Sequence, residues 1–267
     1  MDQIIIGLLL STLAGLSTTI GAVMIFLLKN PSQRLLSTAM GFSAGVMIAV
    51  SVFELIPLAI ETLSLINVSV LFIAGMVMMM FIDFIIPHEY KEEGRACRDG
   101  DGIWEEYERR RHKDRLIHTG KLVALGIAIH NVPEGFVTIT GTIESTNLGL
   151  ILALAIAMHN IPEGLSVAFP LYVSSGKKKN AFNLSFLSGI AEPIGGIIGL
   201  LALTLLFDIT LIVDYALAFV AGIMIFISID ELLPCAYDNC NDKDAHLITL
   251  GIITGMIVML VTLVILG

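Results

Sequence analysis

The sequence predicts an all-α polytopic membrane protein with eight transmembrane helices. Of its 267 residues, 56% are hydrophobic and 15% are charged, and the mean hydropathy is +0.88. In soluble domains about a quarter of the residues are charged. Apolar runs of about 20 residues are long enough to cross a bilayer as α-helices. Such runs lie at residues 4–27, 36–58, 68–86, 119–142, 148–172, 182–206, 211–233 and 246–266.

The basic residues predict the orientation of these spans. All 15 Lys and Arg residues lie between spans one and two, three and four, five and six, or seven and eight, or border these connections. Because Lys and Arg in short loops are retained on the cytoplasmic side, these four connections are assigned to the cytosol. Both termini are therefore expected outside the cell, with the protein in the plasma or inner membrane.

The charged residues outside the spans give two further expectations. Residues 87–117, between spans three and four, lack strong apolar periodicity and are expected to form a mobile cytosolic loop. The formal net charge of the chain is −9, which excludes an extensive basic surface for binding nucleic acid.

Internal similarity predicts an inverted-topology repeat. Residues 44–59 align without gaps to 221–236, and 15–22 show a weaker similarity to 189–196. Five membrane crossings separate spans two and seven, so these helices are expected to run in opposite directions. Repeats of this kind are typical of secondary transporters, whose substrate sites lie near the midplane at the repeat interface. The polar residues kept at matched positions are Ser51 with Ser228 and Glu54 with Glu231.

Two near-copies of one phrase lie near the middle of spans four and five, HNVPEG at 130–135 and HNIPEG at 159–164. Polar side chains are costly inside the membrane and mark functional sites there. In each copy the His, Asn and Glu stand at helical positions i, i+1 and i+4 and share one face. Imidazole and carboxylate ligands suit zinc and related divalent metals. The predicted metal ligands are His130, Asn131, Glu134, His159, Asn160 and Glu163.

Span six adds Glu192, followed by Pro193, as a third carboxylate near the middle of the membrane. Other polar residues toward the ends of the spans are expected to line a pathway. The acidic residues inside the spans have no Lys or Arg among them, and unpaired carboxylates in hydrocarbon require a proton or a bound cation. The pathway is therefore predicted to carry cations. Its expected residues are Met47, Ser51, Glu54, Asp83, His88, Asp230 and Glu231.

With both HN-x-PEG phrases, AEPIGG, DELLP and eight spans, the chain resembles the ZIP family of zinc and iron transporters over essentially its whole length. The resemblance implies uptake of divalent metal through a binuclear midplane site, in a homodimer whose helices one, four, five and six move against the others. One metal position would use His130, Glu134, His159 and Glu163. The other would use Asn131, Asn160 and Glu192, with the glutamates as shared bridges. The cytosolic exit would be formed by Asp83, His88, Asp230 and Glu231.

The expected function is therefore inward transport of Zn(II), together with Fe(II), Mn(II), Co(II) or Cd(II), by alternating access. The metal would be a substrate and not a cofactor, and the chain is not expected to be an enzyme. A calcium/cation exchanger is one alternative, although two histidines argue against it because calcium prefers oxygen ligands. An intramembrane zinc hydrolase is the other, although zinc enzymes usually hold one ion with three ligands and an open position.

Overall fold

A computed structural model describes residues 2–27, 32–85, 103–205, 210–240 and 244–266. These ranges are almost entirely helical and contain no strand. Within them, 8 helical segments are long and apolar enough to cross a membrane. The predicted class, an all-α multi-pass membrane protein, is thereby confirmed.

Six of the eight spans are single helices, whereas spans two and seven each contain a π-helical turn. In span two the turn Ser51–Leu55 joins α2 to α3, and in span seven the turn Ile227–Leu232 joins α8 to α9. The helices are α1 Asp2–Leu27, α2 Gln33–Val50, α3 Ile56–Thr62, α4 Leu65–Ile85, α5 Ile103–Glu144, α6 Thr146–Ser175, α7 Lys178–Leu205, α8 Thr210–Phe226, α9 Leu233–Asp238 and α10 Ala245–Leu266.

The largest difference from the sequence prediction is the start of α5. The apolar run of span four begins at 119, but the helix begins at Ile103. The expected loop is therefore helical over 103–117, and its remainder, 87–102, lies outside the described residues. Glu, Arg and Lys have high helix propensity, so this charged segment extends the helix without itself being apolar.

The helices pack in recognisable groups. Helices α1, α5, α6 and α7 contact one another, while α2 packs along α10 and α4 packs along α8. Glycines bring α2 and α10 close together: a Cβ on Gly41 or Gly45 would collide with carbonyl oxygens of α10, and one on Gly251 or Gly255 with those of α2. These two pairs of glycines, each four residues apart, thus let two helices of the same chain pack closely.

A serine in each π-helical turn makes the same hydrogen bond to the preceding α-helix. Ser51 Oγ donates to the Met47 carbonyl at 2.8 Å, and Ser228 Oγ donates to the Met224 carbonyl at 2.8 Å. These four residues occupy matched positions of the repeat found in the sequence. Because π turns occur frequently at functional sites, Glu54 and Glu231, three residues after these serines, are candidate functional residues.

Candidate metal centre

Four buried side chains of α5 and α6 meet in the interior of the helix bundle. The Nε2 atom of His159 lies 2.7 Å from Glu134 Oε1, and the Nε2 atom of His130 lies 2.9 Å from the same oxygen. His130 Nε2 also lies 3.4 Å from Glu163 Oε1. None of the four residues is more than 3% exposed. We call His130, Glu134, His159 and Glu163 the central cluster.

The local sequence explains why these side chains converge. Each HN-x-PEG phrase lies within a long helix, so its His and Glu stand one turn apart on a single face. Pro133 and Pro162 lie inside these helices, where a proline has no N–H to bond the carbonyl four residues earlier. The packing of α5 against α6 brings the two faces together.

The spacing within the central cluster suits a single divalent ion. Ligand atoms of His130, His159 and Glu163 all lie within 4.8 Å of one another. Because Zn–N and Zn–O bonds are about 2.0–2.2 Å long, two ligands of one tetrahedral zinc lie roughly 3.3–3.6 Å apart. The His130–Glu163 distance is in this range, and small side-chain shifts would bring the other ligands into it.

Polar atoms around the centre lack hydrogen-bond partners among the described residues. A buried polar atom left unpaired costs about 1–3 kcal/mol, so these residues have capacity to bind an ion and its water. The set comprises His130 Nδ1, His159 Nδ1, Glu134 Oε2, both carboxylate oxygens of Glu163, Glu192 Oε1, Asn131 Oδ1 and Asn160 Oδ1.

The two asparagines and Glu192 adjoin the central cluster. Asn131 Nδ2 donates to the Ser188 carbonyl at 3.0 Å. Asn160 Nδ2 donates to the Ala14 carbonyl at 3.0 Å and to Glu192 Oε2 at 2.9 Å. Because the amide nitrogens are held by these acceptors, the two Oδ1 atoms remain available as metal ligands. All seven predicted ligands thus lie in one fully buried region.

On one side of the centre lie the predicted pathway residues of span two. Met47 and Ser51 are buried, and the Oε2 atom of Glu54 is buried without a hydrogen-bond partner in the described part of the chain. Glu54 interacts electrostatically with His159, Glu134 and His130. The π-helical turn of span two therefore carries a buried carboxylate that interacts electrostatically with the central cluster.

A second cluster is formed by Asp83, His118 and Glu231, whose ligand atoms lie within 4.8 Å of one another. His118 Nε2 lies 3.0 Å from Asp83 Oδ1. The sequence did not identify His118 as a pathway residue, because it stands one position before the apolar run of span four. Asp230 is exposed and is not part of this cluster. His88 lies outside the described residues.

The fold and these sites define a multi-pass membrane protein with cation-ligand chemistry buried at its centre. The chain matches the family profile described as ZIP Zinc transporter over residues 104–263. It is 43% identical to the zinc transporter ZupT of Clostridium perfringens, over 98% of this chain and 96% of that protein. It is 40% identical to ZupT of Campylobacter jejuni (100% and 98% covered) and to ZupT of Oceanobacillus iheyensis (100% of both).

The chain therefore belongs to the ZIP family, as the motifs predicted, and these relatives are all named zinc transporter ZupT. Members of this family are transporters, so the protein is a membrane transporter and not an enzyme. The hydrolase alternative is thereby excluded.

Proposed function

We propose that this protein imports Zn(II) into the cytoplasm by alternating access. The observation that carries the proposal is the convergence of two imidazoles and two carboxylates in the membrane interior, with buried polar atoms left for an ion to satisfy. The relatives over the full chain are named zinc transporters, which supports the same substrate.

The donor set favours borderline transition metals over calcium. Imidazole nitrogen suits zinc, iron, cobalt and nickel, and carboxylates extend the range toward manganese, whereas calcium takes six to eight oxygen ligands. Fe(II), Mn(II), Co(II) and Cd(II) are therefore proposed as further substrates. A calcium exchanger is disfavoured by the two histidines at the centre.

A second metal position would lie beside the first. Asn131 Oδ1, Asn160 Oδ1 and Glu192 Oε1 are buried and unpartnered among the described residues, and Glu192 already contacts Asn160. With Glu134 and Glu163 shared as bridges, this arrangement would make a binuclear site. With two adjacent metal positions, an incoming ion that binds one position would displace the ion bound at the other.

The proposed pathway crosses the membrane through both clusters. Ions would enter on the side of Met47, Ser51 and Glu54, bind the central cluster, and leave toward the second cluster on the cytosolic side. The exit side would also include His88 and Asp230. The cytosolic side is assigned from the distribution of Lys and Arg, which predicts that both termini lie outside a plasma or inner membrane.

The protein is proposed to act as a homodimer in the lipid bilayer, with helices α1, α5, α6 and α7 moving as a unit against the rest. The contacts of these four helices with one another, and the separate pairing of α2 with α10 and α4 with α8, support that division. Large apolar side chains on the outer faces of α1, α4 and α10 are exposed, as contact with lipid or a second subunit would require.

Zinc flux into proteoliposomes containing a fluorescent metal reporter tests the function. Wild-type protein should carry zinc faster than calcium, and His130→Ala or Glu134→Ala should abolish the flux because each removes a direct ligand. His246→Ala and Glu144→Ala are matched controls at exposed positions and should retain wild-type flux.

Two outcomes of this experiment would contradict the proposal. Unchanged zinc flux in both ligand variants would show that the central cluster does not bind the transported ion. Calcium flux exceeding zinc flux in the wild type would favour the cation exchanger instead.

A further inference from the structure

Equivalent contacts surround the two sides of the metal centre. Residues 15–22 of α1 and 189–196 of α7 are the phrases with weak similarity in the sequence. A Cβ added to Gly15 would collide with the Gly189 carbonyl oxygen, and one added to Gly189 would collide with the Gly15 carbonyl oxygen. The two phrases thus touch each other at equivalent positions.

The same equivalence extends to the two ligand helices. The glycine of the first HN-x-PEG phrase, Gly135, packs against the carbonyl of Glu192, and that of the second, Gly164, packs against the carbonyl of Thr18. In the alignment of the two phrases, Thr18 corresponds to Glu192. Thr18 of α1 and Glu192 of α7 therefore occupy equivalent positions next to the two ligand helices.

The asparagine hydrogen bonds follow the same correspondence. Asn131 donates to the carbonyl of Ser188, and Asn160 donates to the carbonyl of Ala14. Ser188 and Ala14 each immediately precede one of the two phrases. Each asparagine of the centre is thus bound to the backbone of the helix that carries one member of the Thr18/Glu192 pair.

The Cβ atoms of Thr18 and Glu192 also lie at corresponding positions relative to the neighbouring helix. A Cβ built on Gly15 would lie 3.0 Å from the Cβ of Glu192, and one built on Gly189 would lie 3.1 Å from the Cβ of Thr18. Glu192 reaches the amide of Asn160 from its position. The same correspondence predicts that the Thr18 side chain points toward Asn131.

The hydroxyl of Thr18 is fully buried and has no hydrogen-bond partner among the described residues. Other threonines of α1 behave differently: Thr12 and Thr19 donate to backbone carbonyls of their own helix. Leaving a buried hydroxyl unpaired costs about 1–3 kcal/mol. Asn131 Oδ1 is also buried and unpaired among the described residues.

We propose that Thr18 is a positioning residue of the ion centre, whose hydroxyl holds a water molecule between itself and Asn131. This inference rests on the proposed function. The hydroxyl oxygen of threonine is two bonds closer to Cα than the carboxylate oxygens of glutamate. Glu192 reaches Asn160 directly, whereas Thr18 would reach Asn131 through a water molecule. Buried water is stable where it has two to four polar partners, and Thr18, Asn131 and the ion supply them.

This arrangement makes the two sides of the centre chemically unequal. The α7 side contributes the carboxylate of Glu192, whereas the α1 side contributes a neutral hydroxyl and an exchangeable water. An ion that is bound by protein groups on one side and by water on the other can exchange ligands in its coordination shell without losing all of them at once. Thr18 would thereby tune how tightly the transported ion is held.

The test compares Thr18→Val, Thr18→Ser and Thr142→Val in proteoliposomes, with zinc flux measured over a range of zinc concentrations. Valine keeps the shape of threonine but removes the hydroxyl, and serine keeps the hydroxyl. Loss of a group that supports a metal ligand typically lowers affinity about 10–100-fold, so T18V should raise the half-saturating zinc concentration about tenfold. T18S should remain near wild type.

Thr142→Val is the matched control, because Thr142 is equally buried but its hydroxyl donates to the Thr138 carbonyl at 2.7 Å. It should leave the half-saturating zinc concentration unchanged. A T18V variant with a wild-type half-saturating concentration would overturn the inference. So would equal loss of flux in T18V and T18S, since that points to packing and not to the hydroxyl.

An exchange variant provides an independent decision if T18V does not reach the membrane. Glu192→Thr alone should lose most zinc flux, and adding Thr18→Glu should restore part of it, because the two positions are equivalent. No recovery in a folded double variant would overturn the equivalence. Absence of zinc flux in the wild type would contradict the proposed function itself, whereas an unchanged T18V beside an active wild type contradicts only the role of Thr18.

Discussion

The central cluster and the second cluster use the same ligand types in different surroundings. In the central cluster the side chains are at most 4% exposed, whereas His118 and Asp83 of the second cluster are 13% and 17% exposed. Water near a charged group screens its interactions, so the same ligands attract an ion less strongly where solvent enters. Burial, more than ligand identity, therefore distinguishes the two clusters.

The difference fits two stages of one pathway. A transported ion must be dehydrated to be selected, which requires a complete set of protein ligands in a dry site. It must also be released, which is easier where water can replace those ligands. The central cluster is thus suited to selection and the more exposed second cluster to release, and substitutions in the two should affect different transport parameters.

Among substitutions that compare the two clusters, the largest effect is expected for Glu163→Gln in the central cluster. Glutamine keeps the size of the side chain but removes a charge and a ligand oxygen that has no partner among the described residues. Because losing even an outer-shell partner of a metal ligand costs about 10–100-fold, we expect at least about a hundredfold loss of zinc flux, measured in proteoliposomes.

Glu144→Gln is the matched control, since Glu144 is exposed at the end of α5. It should transport zinc at the wild-type rate. If E163Q retained more than about a tenth of the flux, the central cluster would be no more important than an outer-shell group, and the proposed contrast between the two clusters would be wrong.

The sequence predicted the central cluster more completely than the second. The ligands of the centre repeat within two phrases on adjacent helices, so helical periodicity alone brings them to common faces. His118 was missed because it lies one residue outside an apolar run, and hydropathy does not show where a helix continues. Thr18 was missed for another reason: a threonine in a helix is ordinary until its environment shows that its hydroxyl lacks a partner.

The π-helical turns show a similar limit. The repeat between 44–59 and 221–236 was visible in the sequence, but the change of helical winding at Ser51 and Ile227 was not. The i to i+5 backbone hydrogen bonds of a π-helix depend on how neighbouring helices pack. The local amino-acid composition does not predict them. The matched glutamates were therefore predicted as pathway residues, while the turns that orient them became visible only in the structure.

A smaller effect is expected for His118→Ala in the second cluster. Removing this imidazole eliminates the contact with Asp83 and weakens the proposed release site. The maximal zinc flux should fall several-fold, while the half-saturating external zinc concentration stays near wild type, because the selecting ligands are unchanged. A concentration series in proteoliposomes separates these two parameters.

Asp83→Asn should give the same pattern as His118→Ala, and His246→Ala at an exposed position should give neither change. A raised half-saturating concentration in H118A with an unchanged maximal flux would contradict the division of roles, since it would place His118 among the selecting ligands.

The smallest effect is expected for the ion pair of Arg115 with Asp238, beside the second cluster. The pair joins α5 to α9, and its side chains are 46% and 37% exposed. Exposed pairs contribute about 0.2–1 kcal/mol, so Arg115→Ala should lower the free energy of unfolding by less than about 1 kcal/mol, measured by thermal denaturation in detergent. Arg34→Ala breaks the pair between α2 and Asp244, the residue just before α10. It is the control and should behave alike. A large effect on zinc flux in R115A but not in R34A would show that this contact holds the two helix groups together during transport, and that exposure alone does not set the strength of interactions at this end of the pathway.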